Sequence, residues 1–305
     1  MGRKAKSKHH GVLVVDKTRG PTSHDIVQSV RRALRTSAVG HAGTLDPMAT
    51  GVLVVAIGEA TKLVRWLTAD DKAYEATVAL GAETDTLDAE GWIVEEVSSE
   101  GVDLRMARAA ARQFVGTYLQ RPPLFSAIRV DGERLHERAR RGEVVDVPER
   151  EVTVRELEVL AADAHSLTLR VVCAKGFYVR SLGRDLARAL GTRGHLSALR
   201  RTASGAFEIA AAISVSSIEA ARDDADARES LERGLLPLVA ACGAMPRVEL
   251  DERSVIDARH GRRVQAENMP PDGTEPVALL DSAGRLIAIA RSYGDHLQVV
   301  RGIGG

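Results

Sequence analysis

Short apolar runs that end in charged or turn residues dominate the first part of the chain. Residues 11–17, GVLVVDK, and residues 51–58, GVLVVAIG, each predict a buried strand. The two runs are similar but no third copy follows, so they indicate two strands rather than a repeat array. Between them, Ser23 is predicted to be the N-cap of a helix with one apolar face, formed by Ile26, Val27, Val30, Ala33 and Leu34.

Further along the chain, strand and helix patterns alternate. A helical spacing of apolar residues follows Val102, and residues 175–191 lead from a turn into a helix that Gly191 can cap. Residues 221–234 predict one exposed helical connector. The remaining predicted strands are 74–80, 152–160, 167–174, two around the Ser-Ala-Gly turn within 277–291, and 296–300.

Residues 120–142, QRPPLFSAIRVDGERLHERARRG, differ in kind from the elements around them. The segment opens with an extended Pro pair, passes an Asp-Gly turn at 131–132 and ends in an Arg-rich helix that Gly142 stops. It predicts a positively charged projection from the core.

Composition alone indicates an ordinary globular protein, because 44% of the 305 residues are hydrophobic and 28% are charged. The 42 basic and 42 acidic residues cancel, but they are segregated along the chain. Residues 1–40 carry nine basic and two acidic groups, and residues 180–201 carry six basic groups and one acidic group. Residues 69–104 carry one basic and eleven acidic groups. This segregation permits a basic face for a polyanion, although solvated helical faces would produce it too.

Several classes of function receive no support. Cys173 and Cys242 have neither metal-ligand spacing nor a disulfide framework, so we expect a reducing cytoplasm and no metal site. The first nine or so residues read as a basic arm without the apolar region of a secretory signal. No apolar run reaches the length of a membrane span, so no membrane partner is expected.

The most informative stretch is HAGTLDPMATG, residues 41–51, a loop by its Gly and Pro content. Pro47 restricts Asp46 to an extended backbone, and Gly43 and Gly51 permit a close approach of chain or ligand. A carboxylate on such a stiff turn, directly before a buried strand, suits a nucleophile. A solvated or capping carboxylate is the alternative for any acidic residue in a loop.

Five ordered segments give the chain a specific resemblance. They are GVLVVDKTRGPTSHDIV, VGHAGTLDPMATGVLVVAIGEATKL, KAYEATVALGAETDTLDAEG, RPPLFSAIRVDGERLHERARRG and KGFYVRSLGRDLARALG. Together they resemble TruB-type tRNA pseudouridine synthases from about residue 11 to residue 201. One departure is Lys17-Thr18, where the family usually has Lys-Pro.

The resemblance implies an α+β fold with a mixed-sheet pseudouridine synthase core at residues 10–244. It also implies an RNA-gripping insertion at about 120–150 and a small C-terminal β domain, like the PUA domain, at 245–305. For the C-terminal domain, the resemblance is limited to a strand-like residue pattern and to the hairpin around Gly284.

The implied activity is isomerisation of uridine to pseudouridine at position 55 in the T loop of tRNA. The base is flipped out, and no cofactor or guide RNA is needed. Asp46 would attack the flipped uridine, with the base, the ribose and a ribose proton as open alternatives. Arg180 matches the arginine that pairs with this aspartate, and Tyr74 matches a tyrosine that stacks on the target base and takes part in proton handling. Without the motif, a solvent-facing arginine and a packed strand tyrosine would be the default interpretations.

Four further residues match substrate-contacting positions of the family. His41 matches a histidine that takes part in rearranging the RNA, Tyr178 a second tyrosine at the substrate, and Leu199 an apolar pocket residue. Lys17 ends the first strand in the family's Asp-Lys pair. Arg200, Arg201 and the arginines of 129–141 are candidates for phosphate contacts.

Two other functions stay open at this point. The first is an RNA-binding or tRNA-folding protein with little or no catalysis, which the complete nucleophile loop disfavours as a sole role. The second is a guide-RNA-dependent subunit, which the short basic N-terminus disfavours. No heptad run indicates an oligomer, so a monomeric enzyme is expected.

Overall fold

The computed structural model describes residues 8–126, 129, 130, 133, 134, 141, 143 and 145–304. Residues 1–7 of the expected basic arm lie outside the described residues. So do the Asp-Gly turn at 131–132 and most of the Arg-rich helix expected before Gly142.

The described strands, in chain order, are β1 (Gly11–Lys17), β2 (Val39–His41), β3 (Thr50–Ile57), β4 (Lys72–Leu80), β5 (Ala82–Thr84), β6 (Ile93–Glu96), β7 (Gly116–Gln120), β8 (Arg129–Val130), β9 (Glu133–Arg134), β10 (Arg150–Ala162), β11 (Ser166–Cys173), β12 (Gly194–Ser204), β13 (Phe207–Glu208), β14 (Ile213–Ser214), β15 (Arg247–Glu249), β16 (Arg263–Val264), β17 (Val277–Leu280), β18 (Leu286–Tyr293) and β19 (His296–Gly302). The strands expected from the sequence are confirmed.

The described helices are α1 (Ser23–Ala33), α2 (Val64–Leu67), α3 (Leu104–Ala111), α4 (Val179–Ala189), α5 (Val215–Asp223), α6 (Ala225–Arg233) and α7 (Glu252–Arg259). Short 3₁₀ helices are formed by Gly58–Leu63, Arg112–Phe114, Ile209–Ala211 and Leu238–Cys242. The chain divides into two compact units: unit 1 comprises Met1–Asp46, Val52–Ala69 and Gly205–Gly305, and unit 2 comprises Pro47–Gly51 and Asp70–Ser204.

The N-terminal strands of unit 1 form a mixed sheet. β1 lies between β3 and β14, it is parallel to β14, and β2 pairs antiparallel with β3. Nearly every residue of β1 and β3 is buried. Both strands are therefore covered on both faces, which explains why they read as continuous apolar runs rather than as alternating patterns.

Helix α1 has the expected apolar face but a different start. Ile26, Val27 and Val30 are buried as expected. The N-cap is Thr22 rather than Ser23: its side chain accepts from the Asp25 amide, and the Asp25 carboxylate accepts from the Thr22 amide at 2.8 Å. The prediction of Ser23 as the N-cap was wrong, because the local sequence offers two adjacent hydroxyl residues and Ser23 turns inward.

The single connector expected at 221–234 is two helices. Asp224 has an extended backbone that ends α5, and its carboxylate accepts from the amides of Asp226 and Ala227 at the start of α6. A capping aspartate thus interrupts what the charge pattern reads as one helix.

Unit 2 is built on a sheet with strand order β12–β4–β11–β10–β7. These strands are antiparallel to their neighbours, and the first residues of β3, Thr50 and Gly51, pair parallel with Arg200 and Arg201 of β12. Helix α3 packs on β10 and α4 packs on β12. The mixed sheet expected from the sequence is confirmed.

The C-terminal strands of unit 1 form a separate five-stranded sheet with order β15–β17–β18–β19–β16. One set of its apolar residues, such as Val277 and Leu297, packs in a cluster with Ala258 of α7. Another set, including Ala278 and Ile289, belongs to the same hydrophobic core as the residues of β1 and β3.

Candidate active site

The Asp46 loop joins β2 to β3 through residues 42–49. Ala42, Leu45, Met48 and Ala49 are buried, whereas Asp46 is half-buried. At the start of the loop, the Ala42 amide donates to the Val54 carbonyl at 2.9 Å. The loop is therefore anchored by apolar side chains on either side of Asp46, a residue that is only partly buried.

The middle of this loop is bonded to the first residue of α1. The Leu45 amide donates to Ser23 Oγ at 2.8 Å, and the same hydroxyl donates to the Leu45 carbonyl at 3.1 Å. Ser23 is only 2% exposed, so both bonds are shielded from water. One side chain thus satisfies both backbone groups of the residue before Asp46.

The start of β3, directly after the loop, lies against β12. Gly51 has φ of +97°, and a Cβ at this position would lie 2.1 Å from the Arg201 carbonyl oxygen. Only glycine permits this approach of the two backbones. The Thr50 hydroxyl donates to the Leu199 carbonyl at 3.4 Å, so the five residues after Asp46 end beside the strand that carries Leu199.

Tyr74 and Leu199 lie on one face of the unit 2 sheet. Tyr74 is directly opposite Arg201, and Leu199 is directly opposite Ala76. Because strand side chains alternate between faces, all four share a face. Tyr74 is half-buried and Leu199 is 8% exposed, so the tyrosine keeps an accessible surface beside an apolar neighbour.

Two buried cations accompany Tyr74 on this face. Arg201 is 1% exposed and Lys72, two residues before Tyr74, is 7% exposed. Burial lowers the pKa of Lys72, and the charge of Arg201 lowers it further. The nearby Cys173 thiol has a pKa raised to about 12 by burial, so it stays protonated at neutral pH. This face therefore combines the half-buried Tyr74 with two buried basic side chains.

Arg180, the second residue of α4, is buried at 5% exposure. Its Nη1 donates to the Thr86 carbonyl at 2.8 Å and lies 3.4 Å from Oδ2 of Asp88, while its Nη2 donates to the Phe125 carbonyl at 2.9 Å. The default interpretation of a solvent-facing arginine is therefore wrong. The guanidinium fork is held in one orientation by three groups from two separate segments.

Asp88 is a functional candidate that was not predicted from the sequence. It is 5% exposed, and its Oδ1 accepts from the Thr86 hydroxyl at 2.6 Å and the Glu90 amide at 3.1 Å. A buried carboxylate of this kind is stable only when it is paired and hydrogen-bonded. Its signal was present in TDTLDAEG, but there Asp88 reads only as part of an acidic run.

Gln120, at the end of β7, was also missed. Its Oε1 accepts from the Tyr178 amide at 3.0 Å, and its Nε2 donates to the Tyr178 carbonyl at 3.2 Å. Gln120 is 1% exposed, so the amide holds the backbone of Tyr178 in a buried setting. The Ser181 hydroxyl donates to the neighbouring Arg121 carbonyl at 2.8 Å. The start of α4, with Tyr178 and Arg180, is thereby attached to β7.

Lys17 and His41 lie at the ends of strands in unit 1. Lys17 closes β1 with no exposed surface, and its Nζ donates to the Thr18 carbonyl at 3.0 Å. His41 closes β2, is half-buried and is paired with Val55 of β3.

Comparison with known proteins covers almost the whole chain. The family described as "TruB family pseudouridylate synthase (N terminal domain)" matches residues 31–179. The "tRNA pseudouridylate synthase B C-terminal domain" matches residues 180–242, and "tRNA Pseudouridine synthase II, C terminal" matches residues 245–304. A protein named tRNA pseudouridine synthase B from Paracoccus denitrificans (strain Pd 1222) is 44% identical over 301 residues, which is 99% of this chain and 98% of that protein. The chain belongs to the TruB family of pseudouridine synthases.

Other relatives agree with this membership. A tRNA pseudouridine synthase B from Thermobifida fusca (strain YX) is 42% identical over 299 residues, 95% of this chain and 97% of the relative. Among solved structures, a chain of the Cbf5-Nop10-Gar1 complex has a TM-score of 0.76 at 25% identity, and the match covers 97% of this chain and 85% of that chain. The expected α+β fold, with a mixed-sheet core and a C-terminal β sheet, is confirmed.

Membership in the TruB family makes this chain an enzyme, an isomerase of the pseudouridine synthase class. Of the residues assigned by resemblance, Lys17, His41 and Asp46 lie in unit 1. Tyr74, Tyr178, Arg180 and Leu199 lie in unit 2.

The candidates for phosphate contacts separate by burial. Arg200 is half-buried, but Arg201 is almost fully buried, so a surface phosphate contact is the wrong interpretation for Arg201. Arg141 is exposed and bonds the carboxylates of Glu133 and Glu143 at 2.6 and 2.7 Å.

The described residues contain neither a metal-binding cluster nor a membrane-spanning helix. Within the part of the chain that the structure describes, no group of three or more His, Cys, Asp or Glu side chains is arranged to hold a metal ion. No helix among the same residues is long and apolar enough to cross a membrane.

Proposed function

We propose that this TruB-family enzyme converts uridine 55 in the T loop of tRNA to pseudouridine, acting alone with Asp46 as the reacting carboxylate. The observation that carries the proposal is the 44% identity, over 99% of this chain, to a protein named tRNA pseudouridine synthase B. The half-buried Asp46 on a loop anchored at both ends supports the assignment of the reacting group.

The reaction conserves every atom of the substrate. The N1–C1′ bond breaks, the uracil turns within the site, and a C5–C1′ bond forms. The proton on C5 leaves and N1 gains a proton, so no oxidant, reductant or cofactor is required. The Asp46 carboxylate can add to the base, add to the ribose or remove a ribose proton, and each route needs it ionised.

We assign to Arg180 the part that the resemblance gives it, a guanidinium that favours the charged form of the reacting carboxylate. Its burial, and its bonds to the Thr86 and Phe125 carbonyls, support a fixed rather than a mobile cation. We assign stacking on the flipped base and proton handling to Tyr74, which is half-buried.

The remaining residues are assigned to binding. Tyr178 and Leu199 would contact the substrate, Leu199 as an apolar wall, and Lys17 would contribute charge. His41 would take part in rearranging the T loop as the base leaves its stack. The basic insertion at about 120–150 would grip the T arm through its phosphates.

We also propose that the enzyme works in the cytoplasm as a monomer, without guide RNA. The full-length relatives at 40–44% identity carry the name of a tRNA enzyme, whereas the chain of the Cbf5-Nop10-Gar1 complex is 25% identical. The higher sequence identity to the proteins named tRNA pseudouridine synthase B, over nearly the whole chain, supports an activity without guide RNA.

The test is pseudouridine formation by the purified full-length protein on an unmodified tRNA transcript carrying tritium at C5 of uridine. Tritium release counts the isomerisation events, and carbodiimide labelling with primer extension locates them. Wild type is compared with Asp46→Asn, and Asp223→Asn is the matched control because that carboxylate is 86% exposed. A transcript with cytidine at position 55 controls for the target.

We expect product at position 55 with wild type and with Asp223→Asn, and none with Asp46→Asn. Activity in Asp46→Asn would remove Asp46 from the chemistry. A folded wild type that binds tRNA without forming product would favour the RNA-folding function. Activity that appears only after a guide RNA and partner proteins are added would favour the guide-dependent subunit.

A further inference from the structure

The Ser23 hydroxyl is buried, is not the N-cap of α1, and has no part in the functions assigned above. It bonds the two backbone groups of Leu45, which is 22 residues away in the chain. Leu45 is itself 3% exposed and directly precedes Asp46. The contact therefore joins the start of a helix to the residue beside the reacting carboxylate.

The position of this contact constrains the Asp46 backbone. The Leu45 carbonyl and the Asp46 amide belong to one planar peptide group. A hydrogen bond to that carbonyl therefore fixes the orientation of the peptide group that precedes the Asp46 Cα. Pro47 restricts the backbone on the other side. With both sides constrained, the side-chain torsions are the main freedom left to the carboxylate.

The element that provides the contact is itself held in place. Ile26 and Val30 are buried and attach α1 to the hydrophobic core independently of the capping box that Thr22 and Asp25 form at its exposed start. Ser23 follows the cap directly. Its hydroxyl is therefore a fixed reference point rather than a mobile surface group.

We propose that Ser23 is a positioning residue that sets the location of the Asp46 carboxylate through its paired bonds to Leu45. The proposal rests on the assignment of Asp46 as the reacting carboxylate. Ser23 acts through the backbone and does not contact the substrate. Its loss would leave the buried amide and carbonyl of Leu45 without these bonds, and the loop would shift to find new partners.

The expected effect is on the rate of the chemical step. A displacement of about 1 Å in a reacting group can lower a rate by about 100-fold. We expect Ser23→Ala to lower the single-turnover rate of pseudouridine formation by about 10- to 100-fold. The tRNA dissociation constant should change by less than about threefold, because the loss concerns the transition state rather than substrate binding.

The matched control is Thr22→Ala, one residue away. Thr22 is the N-cap of the same helix, so its loss destabilises α1 but leaves the contact with Leu45 intact. Each variant is measured for melting temperature, tRNA dissociation constant, single-turnover rate and hydrogen exchange at the Leu45 amide. The hydrogen exchange reports directly on the bond to Ser23.

The proposal predicts faster exchange at Leu45 and a slower rate in Ser23→Ala, with Thr22→Ala close to wild type in both. It is overturned if the single-turnover rate of Ser23→Ala stays within twofold of the rate of Thr22→Ala. It is also overturned if Ser23→Ala weakens only tRNA binding and leaves the single-turnover rate unchanged. Should Ser23→Ala not fold, Ser23→Cys replaces it, because a thiol keeps the size of the side chain but is a weak donor and acceptor. For Ser23→Cys, a rate between those of wild type and Asp46→Asn, with normal tRNA binding, supports the proposal. A wild-type rate for this variant overturns it.

Asp46→Asn is measured in the same assay to separate the two proposals. If Asp46→Asn forms pseudouridine, the assignment of the reacting carboxylate fails, whatever Ser23 does. If Asp46→Asn is inactive and Ser23→Ala reacts at the wild-type rate, only the positioning role fails.

Discussion

The contact between Gly51 and β12 allows a mutation whose effect can be worked out from the structure. An alanine Cβ at position 51 would lie 2.1 Å from the Arg201 oxygen and 2.9 Å from the Arg201 nitrogen and carbonyl carbon. Non-bonded carbon contacts are optimal at about 3.5–4.0 Å, so the two backbones would have to separate by more than about 1 Å. Since the neighbouring atoms are backbone, no side chain can rotate away to relieve the clash.

The backbone angle adds a second cost, which a control variant can isolate. Gly51 has φ of +97° and Gly116 has φ of +98°, but a Cβ added at Gly116 would have no neighbouring atom of the described residues within 4 Å. Left-handed backbone costs an L-residue about 1–2 kcal/mol, which lowers the melting temperature by about 1.5–3 °C at an unfolding entropy of about 2.1 cal/mol/K for each of the 305 residues. Gly116→Ala should show this effect alone. Gly51→Ala should show it together with the displacement of the strand.

The displacement should appear as lost activity, because Gly51 is five residues after Asp46. A shift of about 1 Å in the loop can lower the single-turnover rate by about 100-fold. The assay compares melting temperature, tRNA dissociation constant and single-turnover rate for wild type, Gly51→Ala and Gly116→Ala. If Gly51→Ala matches Gly116→Ala in both rate and melting temperature, the close approach of the two strands has no role in holding the loop.

Two further predictions concern buried groups. Arg180→Lys should lower the melting temperature, and it should lower the single-turnover rate by at least about tenfold. One ammonium cannot replace the guanidinium fork, so the partly buried Phe125 carbonyl loses a hydrogen bond worth about 1–3 kcal/mol. Arg155→Lys should change neither measurement appreciably, because Arg155 is 56% exposed in a surface ion pair with Asp71, and an equal loss there would contradict the argument. Burial raises the pKa of Cys173 to about 12 and that of Cys242 to about 11, so the reactive thiolate is scarce until the pH approaches those values. Alkylation by iodoacetamide at pH 8 should therefore be slow in the folded protein and fast in urea, and rapid labelling of the folded protein would show that these thiols are accessible.

Local sequence was sufficient for the strands and for the main helices. β1 and β3 are continuous apolar runs because both of their faces are covered, and α1 shows its buried face at helical spacing. The Asp46 loop was also recognisable, since Pro47 and Gly51 restrict or permit backbone conformations through their own chemistry. These features depend on a residue and its near neighbours, which a single sequence displays.

Errors arose where a short-range pattern had more than one solution. Thr22 and Ser23 are both good N-cap residues, and the choice between them depends on where the Leu45 backbone lies. The connector at 221–234 is two helices because Asp224 caps the second rather than continuing the first. In both cases the local sequence permits two arrangements, and the backbone groups that a side chain bonds decide between them. Ser23 bonds Leu45, and Asp224 bonds the first amides of α6.

The sequence by itself determined the elements, the stiff loop around Asp46 and the family to which the chain belongs. Only the tertiary structure decided that Arg180 is buried against carbonyls of Thr86 and Phe125, and that Gln120 holds the backbone of Tyr178. The partners in these contacts are 55 to 94 residues apart in the chain. Sheet register and helix packing bring such groups together, and a polar side chain shows its long-range partner only once the fold has placed it.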